Sequence, residues 1–131
     1  MEDWKKITKE AVKGKNIRKR SSSPAMGITK SGVITLSSGL RDEILKRNPK
    51  IQFACPSYHK GKGMILIEFL EGDNQEGARK ISNMKADRGT AGFAAKSFFT
   101  QVELKYKELN GKYDVERINE LDGEWWFFRL K

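Results

Sequence analysis

The chain has 131 residues, 37% hydrophobic and 33% charged, with 26 Lys and Arg against 17 Asp and Glu for a net charge of +9. This is enough apolar material for one folded domain, which excludes a wholly disordered chain, but the longest strongly apolar run, residues 64–67, is far short of the roughly 20 residues of a membrane-spanning helix. One Cys and one His exclude an internal disulfide and a Cys/His zinc cluster, and the basic excess favours a polyanionic partner, nucleic acid first.

Residues 1–23 carry eight basic and three acidic side chains. Trp4, Ile7 and Ala11 recur at helical spacing. A dense basic stretch, three Ser and Pro24 follow, and little there can build a core. Residues 1–24 are therefore expected to be a flexible basic N-terminal arm. Lys13, Lys15, Arg18, Lys19 and Arg20 are candidates for phosphate contacts. A solvated tail and an import or phosphorylation signal remain open alternatives.

Residues 25–131 are expected to form the domain. Two short strands flank Ser31-Gly32. Ser37 or Ser38 then caps a helix whose stripe is Leu40, Ile44 and Leu45, stopped by Asn48-Pro49. Residues 51–55 alternate as a strand, residues 58–63 form a hairpin loop, and residues 64–70 form a second strand, apolar on both faces and hence central. A polar turn spans 72–77, a basic strand 78–83 and a basic loop 84–89. A short strand at 92–95 leads into a helix capped by Ser97 and running to Leu109, with Phe98, Val102, Tyr106 and Leu109 on one stripe. Residues 113–118 and 124–130 close as a hairpin around Asp122-Gly123. A weak echo relates residues 26–71 to 78–131 in element pattern only.

In the last strand, Trp125 and Phe127 point one way and Trp126, Phe128 and Leu130 the other. One such face can pack on the domain's own helix, and a second subunit would cover the other. Trp125, Trp126, Phe127 and Phe128 are thus candidate dimer contacts. A central strand inside one subunit is the competing interpretation.

Catalytic motifs are weak. The Gly72 to Gly77 spacing matches the start of a phosphate-binding loop but continues with Ala78-Arg79 where Lys and Ser or Thr are needed. Cys55 and His59 lack an orienting third group. No catalytic residue, metal ligand or cofactor is expected. The more informative set is Tyr58, His59, Lys60 and Lys62 at a hairpin tip, with Arg79, Lys80, Lys85, Arg88 and Lys96. Basic side chains with exposed rings suit a single strand, charges following phosphates and rings stacking on bases.

The Lys60-Gly61-Lys62 tip, the apolar strand after it, the basic strand and Gly92-Phe93-Ala94-Ala95 entering a helix together resemble the positive cofactor four family of single-stranded-DNA-binding proteins and the related whirly proteins. The resemblance covers about residues 50–109. It implies an α+β fold in which a curved antiparallel β-sheet is packed with one main α-helix per subunit. It also implies a homodimer and grip on unwound single-stranded DNA by Lys60 and Lys62, the aromatic at Tyr58 or His59, and Arg79 and Lys80, with Lys85 and Arg88 beyond. The family's aromatic at the end of the second strand is Leu70 or Gly72 here. The 110–131 hairpin is an addition to the minimal fold, expected to extend the dimer interface.

The expected function is thus non-enzymatic, sequence-nonspecific binding of single-stranded DNA in replication, recombination or as a transcription cofactor. The expected setting is a bacterial or phage-infected cytoplasm, or a nucleus if the source is eukaryotic, with replication or transcription proteins as further partners and no membrane partner. The alternative is an AbrB-like swapped-hairpin regulator that binds duplex DNA, suggested by residues 28–36 and the echo.

Overall fold

Residues 23–85 and 90–130 are described in the computed structural model of the chain. Strand β1 (Ala25–Ile28) turns back as β2 (Val33–Leu36). The turn is fixed by Thr29, whose Oγ1 accepts from Val33 N at 3.0 Å, and by Gly32 at φ +85°, a left-handed backbone that glycine adopts without penalty. Helix α1 (Ser38–Arg47) begins where Ser37 Oγ accepts from Leu40 N at 3.2 Å and ends at Asn48, ahead of Pro49. Its Leu40 and Ile44 are fully buried.

Strands β3 (Phe53–His59) and β4 (Met64–Leu70) pair along their whole length, joined by a single 3-10 turn over Lys60–Lys62. Strand β5 (Arg79–Lys80) pairs with β3 only at Ala54 and Phe53. Ile81 N still donates to Gln52 O at 2.8 Å, but Ser82 then bridges to Gly92 of another strand, so the expected basic strand over 78–83 shrinks to two residues. Strand β6 (Ala91–Ala94) lies beside β2.

The single helix expected from Ser97 to Leu109 is instead two short ones, α2 (Lys96–Gln101) and α3 (Tyr106–Leu109), and the residue at the N-cap is Ala95 rather than Ser97. The break is a Schellman closure: Glu103 takes φ +62°, Glu103 N donates to Thr100 O at 3.2 Å and Leu104 N to Phe99 O at 2.8 Å. Those bonds use the last carbonyls of α2 and end it.

The C-terminal residues also divide. Strand β7 (Gly111–Asp114) pairs with β1, whereas β8 (Glu116–Arg117) pairs with β9 (Glu124–Arg129). The fold is α+β, with two antiparallel sheets in place of the single curved sheet expected. One has the order β6-β2-β1-β7 and the other β5-β3-β4-β9-β8. Each sheet has one strongly apolar face, and two such faces bury each other. Met26, Ile28, Ile34, Leu36, Ala91, Phe93 and Tyr113 from the first sheet join Ala54, Ile65, Ile67, Phe69, Trp126 and Phe128 from the second in one core cluster with α1. The Tyr113 and Phe128 rings, 5.0 Å apart, span the two sheets.

The echo does not produce two modules. The first half supplies the hairpins β1–β2 and β3–β4, and the second half lays β6 and β7 on either side of the former and β5 and β9 on either side of the latter.

Candidate nucleic-acid interface

The five-stranded sheet has an inner face closed by the core and an outer face on which the turn before β5 reaches Cys55, Gln75 Nε2 donating to its Sγ at 3.4 Å. Strand burial alternates along β4 and β9, with Ile65, Ile67, Phe69, Trp126 and Phe128 inside and Met64, Leu66, Glu68, Leu70, Trp125 and Phe127 half-buried on the other side. Cross-strand register arranges the outer residues in rows. Lys80, Phe53 and Leu70 form one row. Cys55, Glu68 and Trp125 form the next. Ser57, Leu66, Phe127 and Glu116 follow, and His59, Met64 and Arg129 finish at the hairpin tip.

Three rings, Phe53, Trp125 and Phe127, therefore stand on one open face. Trp125 is held in place, its Nε1 donating to Asp122 O at 3.1 Å. The Arg129 guanidinium lies 5.9 Å from the centre of the Phe127 ring, within cation–π range. Beyond the last row sit Lys60 and Lys62, exposed on the 3-10 turn, with Gly63 at φ +60° reversing the chain. Leu130 N donates to Gly63 O at 2.9 Å, which ties the end of β9 to this tip. Among the described residues neither lysine, nor His59, nor Arg129 forms an ion pair. The cations at this end are available for an external anion.

The residues singled out from sequence do not all meet. His59, Lys60 and Lys62 gather at the tip. Tyr58 faces the other way, half-buried against the core. Arg79 sits opposite Ala54, on the inner side of the sheet. Its two terminal nitrogens donate to Ala94 O and Ser97 Oγ, both at 3.2 Å, and its guanidinium lies 6.0 Å from the Phe98 ring. Burial lowers its pKa, and its contacts join the sheet edge to α2, a positioning role. Lys80 does reach the outer face, but beside Phe53, at the far end of β3 and about 20 Å from the tip at roughly 3.3 Å per residue.

Lys85 is exposed in the loop after β5, and Lys96 is exposed at the start of α2, with its stem against Gly32. Arg88 and the arm residues Lys13, Lys15, Arg18, Lys19 and Arg20 lie outside the described residues. Of the aromatic quartet in β9, Trp126 and Phe128 are 3% and 1% exposed inside the chain's own core, so only Trp125 and Phe127 face outward.

Phe53, Leu66 and Arg129 belong to the outer face and went unrecognised as site residues. The period-2 alternation of β9 carried the signal for Arg129, two residues beyond Phe127. Cys55 and His59 share this face but are four residues apart along one strand, about 13 Å, too far for a thiolate–imidazole pair. No group of three His, Cys, Asp or Glu among the described residues could hold a metal ion. No helix among them is long and apolar enough to cross a membrane.

No protein-family model matches the chain, and no curated protein or solved structure is found to be similar to it.

Proposed function

We propose that this protein binds single-stranded DNA without catalysing a reaction, by laying bases over the outer face of the five-stranded sheet while the phosphates follow the basic tip. The observation that carries this is the placement of Phe53, Trp125 and Phe127 on one open face, bordered at the β3–β4 tip by His59, Lys60, Lys62 and Arg129. Aromatic side chains stack on any base, each stack worth about 1–3 kcal/mol, and lysines track a flexible backbone. Binding of this kind is largely indifferent to sequence, because stacking and phosphate contacts read few base edges. A broad sheet face does not enter the major groove of duplex DNA, which takes a helix or a two-stranded ribbon. A role in replication, recombination or transcription follows from holding unwound strands apart.

The same rings would suit a second copy of the chain, so the deciding experiment separates the two. A labelled single strand of mixed sequence is titrated at low salt with competing single strand or duplex, and the free protein's mass is measured by sedimentation. Displacement by single strand well ahead of duplex is the expected result. Sequence-dependent duplex binding supports a double-stranded-DNA regulator instead. No binding to either, together with a dimer that Trp125→Ala dissociates, assigns the face to self-association.

A further inference from the structure

We infer that Glu68 selects the base placed beside Trp125 and favours guanine there. The inference rests on the nucleic-acid reading above and concerns one position on the same face. Glu68 lies in the middle of that face, paired in register with Cys55 on one side and Trp125 on the other. Its same-face neighbours along β4 are Leu66 and Leu70, and it lines one surface pocket with Arg47, Arg117, Gly123 and Glu124, where both arginines are already turned to Glu124. It is half-buried, and among the described residues it has no hydrogen-bond or ion-pair partner. Elsewhere in the chain a deeply buried carboxylate, Glu124, is satisfied by three donor side chains. Water hydrates this carboxylate when the face is free, and a ligand that brings two donors can take the place of that water.

The carboxylate and the indole border the same space. A Cβ placed on Gly123 would lie 3.9 Å from Glu68 Oε2 and 3.8 Å from Trp125 Nε1. Gly123 keeps that space open, with a φ of +96° that side-chain-bearing residues rarely adopt. A base stacked on Trp125 would present its Watson–Crick edge to this neighbourhood.

An ionised carboxylate only accepts hydrogen bonds. Guanine presents N1–H and N2–H side by side, two parallel donors for two oxygens. Adenine and cytosine present one amino group beside a ring nitrogen that is itself an acceptor. Thymine presents one N–H between two carbonyls. The negative charge also repels phosphate, which keeps the backbone toward Lys60, Lys62 and Arg129.

The test uses the full chain and labelled thymine 12-mers, either unbroken or with one central guanine or one central inosine, which lacks the 2-amino group. A bidentate contact is worth about 1–3 kcal/mol, so the guanine oligomer is expected to bind about tenfold more tightly than the all-thymine one, with inosine between. In Glu68→Gln, whose amide puts an NH2 donor where the second carboxylate oxygen was, the guanine advantage is expected to fall below about twofold while all-thymine affinity is kept, which also reports an intact fold. Equal affinity of the native chain for guanine and all-thymine oligomers overturns the inference and leaves the stacking face standing. So does a guanine advantage unchanged in Glu68→Gln. No binding of any oligomer overturns both.

Discussion

The Arg47 guanidinium, at the last position of α1, grips the Glu124 carboxylate, at the first position of β9, through contacts of 2.8, 3.0 and 3.1 Å. The two residues are 77 apart in sequence. Arg117 Nε at 3.3 Å and Trp126 Nε1 at 2.9 Å complete the shell around the carboxylate, which is 6% exposed. This cluster fixes the helix end to the central part of the five-stranded sheet and sets where β9 enters it. Its register in turn decides that Trp125 and Phe127 face outward while Trp126 and Phe128 face the core.

Replacing Glu124 by Ala leaves a buried indole N–H and two guanidinium groups without their acceptor. Breaking one side of a buried pair costs about 3–5 kcal/mol. Arg47 is 36% exposed, so the loss is expected at the lower end, about 3 kcal/mol. A denaturant melt should show it as a fall in midpoint with little change in slope, and Glu124→Gln should lose less.

The same carboxylate makes stability depend on acid. Burial pushes its pKa up, but hydrogen bonds from Arg47, Trp126 and Arg117 and the charge of Arg47 outweigh that and hold it below the ordinary 4.5. A group with a folded value below its unfolded value stabilises the fold above the unfolded value, and that contribution is lost as pH falls through the folded one. Thermal unfolding between pH 6 and pH 3 should therefore show a loss of Tm beginning near 4.5. The decline should be shallower in Glu124→Gln.

Lys60→Ala with Lys62→Ala removes two exposed cations from the tip without touching the core. Affinity for single-stranded DNA should fall, and the slope of log affinity against log salt should flatten by about 1.4, at roughly 0.7 per lost contact on a single strand. Unchanged affinity and slope, read by fluorescence anisotropy, would place the strand elsewhere.

Trp125→Ala should weaken single-strand binding by about 1–3 kcal/mol without altering the salt slope, because stacking releases no counterions. Trp126→Ala makes the contrast: it empties a core position and should lower Tm sharply, a loss of about 3–5 kcal/mol for a large-to-small change.

Glu103→Gly should stabilise the chain. Glu103 is exposed with φ +62°, and a non-glycine residue in that region carries a penalty of about 1 kcal/mol. A rise in Tm of a few degrees is expected, and a fall would show that the Glu103 side chain contributes more than its backbone costs.

Much of the local structure was legible because it is written in neighbouring residues. Ser37 and Pro49 bracket α1, Gly32 marks the first turn, and alternation in residues 64–70 and 124–129 marks β4 and β9. Strand alternation tells which residues share a face but says nothing about the strand alongside, so the division into two sheets, and the parting of β7 from β8 around Val115, were hidden. The break after α2 was hidden because Glu103, not glycine, takes the left-handed conformation. At the candidate site, the tip lysines were visible as a basic hairpin. Arg79 and Lys80 looked alike, and only the register against Ala54 and Phe53 shows that one faces in and the other out.

The interleaving of the two halves has a consequence for biosynthesis. Both hairpins of the first half can form early, yet β4 meets its neighbour β9 only after residues 124–129 have left the ribosome. Until then Ile65, Ile67 and Phe69 border a strand with one side unsatisfied, a surface prone to sticking to other chains. The nascent protein thus stays vulnerable until residues 124–129 emerge, which makes that interval the one in which a chaperone would matter.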